Sequence, residues 1–144
     1  MSCKRYFFKK IKMTIHSPLK CIFYWLLLVI IMVLHFNYHV GEIFYGIDVA
    51  RENADGVVPI GTHVIRNIFY HLPIVWITIL LTYQSNLIRV GLFIISIVYW
   101  TSHLMHLVKD LANPDFSQTP LLIIALFIST ILSFEHYKYW KNKG

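Results

Sequence analysis

Two segments place histidines and a carboxylate at helical spacing inside apolar sequence: His35-x-x-x-His39-x-x-Glu42 and His103-x-x-His106-x-x-x-Asp110. In each, the carboxylate follows the first histidine by seven positions. On a helix turning about 100° per residue, each trio falls within an arc of roughly 60°, so each helix shows two imidazoles and a carboxylate on one stripe. Imidazole and carboxylate together suit iron, zinc, manganese or copper, and side chains spaced i,i+3 or i,i+4 can share one ion because they project together. His39/Glu42 and His106/Asp110 are such pairs.

The elements that must carry these stripes follow from composition. The chain has 144 residues, 57% hydrophobic and only 14% charged, which is too apolar for an ordinary soluble domain and fits one integral membrane domain. Apolar runs at about 19–40, 65–83, 87–108 and 120–134 approach the roughly 20 residues needed to cross a bilayer. The fold predicted is all-α, a four-helix transmembrane bundle with helices at about 19–45, 63–83, 87–110 and 119–138 and a connection at about 46–62. The first apolar run is long and has no small-residue cleavage site, so it is expected to remain as the first span rather than act as a cleaved signal.

The net charge of +6 is distributed as a membrane topology signal. With the amino terminus in the cytoplasm, the inner segments hold Lys4, Arg5, Lys9, Lys10, Lys12, Lys20, Arg89, Lys138, Lys141 and Lys143, leaving only Arg51, Arg66 and Lys109 outside. Both termini are therefore expected to be cytoplasmic at the cell membrane. The basic segment 1–18 is read as a topology signal facing the inner leaflet, and no nucleic-acid partner is expected. Cys3 and Cys21 fall on the reducing side without zinc-type spacing.

Local chemistry sets helix limits and depth. Pro18 opens the first helix, Thr62 is expected to cap the second, Pro73 to kink it, and Thr119-Pro120 to open the fourth. The short Gln84-Ser85-Asn86 connection predicts that the second and third helices are antiparallel neighbours. His35 and His103 each lie sixteen residues beyond the start of their apolar runs, at Leu19 and Leu87. Their heights therefore match, roughly 24 Å along each helix. His39 then lies near the height of His106, and Glu42 near that of Asp110. The second helix adds His63 at its mouth and His71 about 12 Å deeper. Six of the eight histidines gather in the outer half, while His16 and His136 lie on the cytoplasmic side, His136 in a run expected to emerge from the membrane.

This placement predicts a metal centre in the outer half, with His35, His39, Glu42, His103, His106 and Asp110 as ligands, helped by His63 or His71. A transition metal, iron or zinc, would there perform redox or hydrolytic chemistry on a membrane-borne substrate. Four-helix bundles that hold two irons use the same geometry with more glutamates. The two histidine spacings also resemble fragments of the histidine boxes of membrane fatty-acid desaturases and hydroxylases, over two short windows and without a His-His pair, so no membership of that family is assigned. A second possibility is haem b held between one histidine of the first helix and one of the third, with Arg66 near a propionate, in a quinone-linked electron-transfer subunit. A third is a non-enzymatic subunit whose histidines only make interhelical hydrogen bonds with groups such as Tyr38, Tyr70, Tyr99, Thr101 and Ser102, within a homo-oligomer or larger membrane complex. A proton relay is disfavoured because the inner half offers little that ionises besides Arg89 and Glu135.

Overall fold

A computed structural model of the chain describes residues 17–50, 54–83, 85–112, 116 and 118–141. The basic amino-terminal run with Cys3 and His16 lies outside the described residues, as do Arg51, Glu52 and Asp115. Four helices are long and apolar enough to cross a membrane, and there is no strand among the described residues. Helix α1 spans Ser17–Gly41 and tightens into a 3-10 turn at Glu42–Tyr45, ended by Gly46 in the left-handed conformation at φ 74°. Helix α2 spans Ile60–Thr82, α3 Asn86–Asp110 and α4 Thr119–Lys141. With an apolar exterior, each backbone must satisfy its polar groups within its own helix, which is why uninterrupted runs of this length become helices.

The distribution of side chains matches such surroundings. Phe23, Leu26, Ile30 and Val33 on α1 and Ile123, Ile124 and Phe127 on α4 face outward, whereas His35, Ser96, His103, Gln118, Ser129, Ser133, Glu135 and His136 are buried. Polar groups turned inward find protein partners that lipid does not offer. The apolar core is formed by Cys21, Trp25, Leu28, Leu80, Leu92, Tyr99, Leu132 and Tyr139, with Ile31, Leu121 and Ala125 extending it toward the end that carries the histidine pairs.

Helix α4 packs against α3 and α1, and α1 packs against α2. The short connection between α2 and α3 does not make their backbones close neighbours. They meet instead through long side chains, Tyr99 and His103 of α3 reaching Phe69 of α2 at ring-centre distances of 5.3 and 5.8 Å. Helices α1 and α3 therefore lie diagonally across the bundle, and what they share is the space between side chains.

Ahead of Pro73, which removes one backbone donor from α2, the helix changes pitch. Residues Asn67–His71 form a π-helical segment in which the Leu72 N–H donates to the Asn67 carbonyl. The Ile68 carbonyl loses Leu72 by this shift, and its next candidate donor is Pro73, which has no N–H. Tyr99 Oη–H of α3 donates to that carbonyl, and Tyr70 Oη–H donates to the Met32 carbonyl of α1 at 3.2 Å. The π segment thus ties α2 to both α3 and α1. Tyr99→Phe is expected to lower stability by about 1–2 kcal/mol in reversible unfolding from detergent micelles, because it strands a backbone carbonyl. Tyr70→Phe, which loses a longer bond at the cavity edge, is expected to cost less in the same measurement.

Two expected helix starts differ in detail. The helix α2 begins at Ile60, two residues before Thr62, with Pro59 in the cap position and no side-chain cap. Thr119 lies inside the first turn of α4, and its hydroxyl donates to Asp110 Oδ2 of α3 at 2.6 Å. The run 134–138 does not emerge from the bundle: α4 continues to Lys141, and Glu135 and His136 are buried. Glu135 is neutralised by Lys138 at 3.0 Å and Lys20 at 3.8 Å. Trp25 Nε1–H donates to His136 Nε2 at 2.9 Å in the fully buried core.

Candidate histidine-lined site

At the opposite end from His136, α1, α2 and α3 surround a cavity of about 350 Å³. His35, His39, His103 and His106 all line it. The histidines of the two stripes face each other across the bundle, without their carboxylates. His35 is the middle ring: its centre lies 4.8 Å from that of His39 and 5.2 Å from that of His106, edge to face in both cases. His103 is buried one turn deeper against Phe69, and its Nε2 has no hydrogen-bond partner among the described residues. Arg66, Tyr70, Thr62 and Ser102 complete the polar part of the wall, and Met32, Phe36, Ile65 and Phe69 the apolar part.

The remaining predicted ligands stand elsewhere. Glu42 is half-buried in the 3-10 turn and is not on the cavity wall. Glu42 stands seven residues, roughly 10 Å along the helix, beyond His35, in the turn that follows α1. Asp110 accepts from Thr119 and is likewise off the wall. His63 and His71 are exposed on α2 and line a second pocket with Phe36, Arg66, Asn67 and Tyr70. His71 Nδ1–H donates to Asn67 Oδ1 at 2.7 Å. Among the described residues, no three His, Cys, Asp or Glu side chains converge as a ready ligand set for an ion.

One participant was not anticipated. Gln118, just ahead of α4, is buried and its amide lies 2.9 Å from His39 Nδ1. The two ends of a glutamine amide are interchangeable by a flip, so the contact fixes His39 in one of two tautomers. The contact atom is the amide nitrogen, so Gln118 Nε2–H donates to His39 Nδ1 and the ring proton sits on His39 Nε2; a flip of the amide puts its oxygen against Nδ1–H and leaves His39 Nε2 as a lone pair at the cavity. No local pattern marks Gln118, because a polar residue in a connection normally faces water.

No family model, no curated protein and no solved structure matches this chain. What can be said of the site rests on its residues.

Proposed function

We propose that this is a multi-pass membrane protein whose histidine-lined cavity binds a transition-metal ion, iron or zinc, between α1 and α3. The observation that carries the reading is the meeting of His35, His39 and His106 around one cavity that His103 also lines. Two imidazoles on one tetrahedral ion, each with a metal–nitrogen bond of about 2.0–2.1 Å, have ring centres roughly 5 Å apart. The His35/His39 and His35/His106 spacings fall at that value. Buried imidazole nitrogens without protein donors or acceptors are costly, and an ion offsets that cost at His103 Nε2. Turning the exposed rings of His39 and His106 within the cavity is the adjustment that ion binding requires.

The small-ion reading is favoured over haem b because His35 and His106 touch edge to face and leave no slot between them for a macrocycle. Glu42 and Asp110 are not needed as ligands, which leaves coordination positions for water or a substrate. Arg66 on the same wall supplies positive charge for an anionic substrate group. The asymmetry of lysines and arginines supports termini on the cytoplasmic side and a cavity that opens outward.

The test is the metal content of detergent-purified protein, stripped with chelator and reloaded separately with ferrous iron or zinc. One ion per chain is expected, lost together in His39→Ala and His106→Ala; unchanged content in both variants would refute the reading. Gln118→Leu is expected to weaken metal binding by roughly 10–100-fold without abolishing it, since it removes the group that orients His39. Competition against a chelator of known affinity reads that change.

A further inference from the structure

The histidine cavity and the second pocket share a wall. Arg66, Phe36 and Tyr70 border both, so the two spaces adjoin along the groove between α1 and α2. The second pocket measures about 470 Å³ and adds His63, Asn67 and His71. These residues follow one another at i, i+3, i+4 and i+8 along α2 and form a polar stripe on an exposed face of a helix apolar enough to span a membrane. Lipid tails do not satisfy such a stripe.

Arg66 has no ion pair or hydrogen bond among the described residues. It lies six residues from the start of α2, roughly 9 Å along the helix, and side chains on a helix lean toward its amino-terminal end. A long guanidinium stem at that depth brings its head to the phosphate layer of the adjoining leaflet. Arg66 also presents planar paired donors, the geometry that phosphate oxygens accept. The exposed Phe36, Val64 and Ile65 next to it are apolar surface of the kind an acyl chain lies against. The amide of Asn67 keeps its N–H donors free while its oxygen holds His71, so a second donor stands one residue from the guanidinium.

We propose that the α1/α2 groove admits an anionic phospholipid from the adjoining leaflet, its phosphate held by Arg66 and Asn67 between His63 and His71, with its glycerol region turned toward the histidine cavity. The inference names the substrate class of that cavity and in this respect rests on the metal reading, but phosphate capture by Arg66 stands without the ion. Lateral access explains why the polar stripe of α2 faces outward, where a purely structural stripe would turn toward α1 or α3.

The experiment is native mass spectrometry of the full chain released from micelles containing palmitoyl-oleoyl phosphatidylglycerol or phosphatidylcholine, with and without millimolar inorganic phosphate. Wild type is expected to retain one phosphatidylglycerol with about tenfold preference over phosphatidylcholine, Arg66→Gln to lose that preference, and Arg66→Lys to keep part of it. Inorganic phosphate is expected not to displace the lipid. Equal retention of the two lipids, an unchanged preference in Arg66→Gln, or displacement by inorganic phosphate would each overturn the proposal. Metal content measured on the same samples separates the two claims: Arg66→Gln keeps the ion and His35→Ala keeps the lipid if phosphate capture and ion binding are distinct. Should Arg66→Gln not fold, the ratio of the two lipids on wild type and on Arg66→Lys decides the matter.

Discussion

His35→Ala is expected to remove stoichiometric metal from the protein, with an affinity loss beyond the roughly 10–100-fold typical of losing only an orienting partner. His35 is the ring that touches both His39 and His106, so its removal separates the two stripes. The loss should appear as metal per chain by elemental analysis after gel filtration of reloaded protein. His63→Ala serves as the control: His63 is exposed, lines the second pocket and not the histidine cavity, so the variant's metal content should equal that of wild type. Full occupancy in His35→Ala would mean that the rings meet for packing alone.

The second large effect lies at the other end of the bundle. His136→Ala is expected to destabilise the protein by about 2–4 kcal/mol, because it opens a cavity in the core and strands the buried Trp25 N–H. Both side chains are fully buried, and Trp25 also packs edge to face on Tyr99 at 4.8 Å. Indole only donates, so His136 Nε2 must accept and a neutral ring carries its proton on Nδ1. His136→Gln, which keeps an acceptor of similar reach, is expected to recover part of the loss. A double-mutant cycle with Trp25→Phe measures the coupling; additive losses would show that the bond contributes nothing beyond packing. Metal content should be unaffected by either change, since neither residue lines the histidine cavity.

The four apolar runs were legible because lipid-like surroundings leave a backbone few alternatives to a continuous helix. The meeting of the histidines of α1 and α3 at one cavity was legible for a related reason: polar groups on an apolar helix find partners more readily on the side that faces other helices, although the stripe of α2 shows that this direction is not obligatory. Counting residues along α1 and α3 gave the heights only to within a turn: His35 meets His106 rather than its counted partner His103, which packs deeper against Phe69.

What was not legible depended on events at helix ends and on long-range contacts. Glu42 falls in the turn that follows α1 and off the cavity wall, and Asp110 is taken by Thr119 across a connection. The charges of Glu135 and Lys138 resemble those of a helix emerging into water. They are instead a local pair, joined by Lys20 from α1, that lets α4 stay packed. His136 and Gln118 find their partners 111 and 79 residues away, at distances no local pattern encodes. The short link between α2 and α3 indicated antiparallel neighbours, yet their backbones make few close approaches and they meet through Phe69, Tyr99 and His103.

The most direct test of a shared ion between α1 and α3 is X-ray absorption at the zinc edge on zinc-loaded, detergent-purified protein. The account predicts a first shell of at least two imidazole nitrogens at about 2.0–2.1 Å, with their outer-ring scattering reduced in His106→Ala. A shell made only of water and carboxylate oxygens, or a spectrum identical in wild type and His106→Ala, would contradict it.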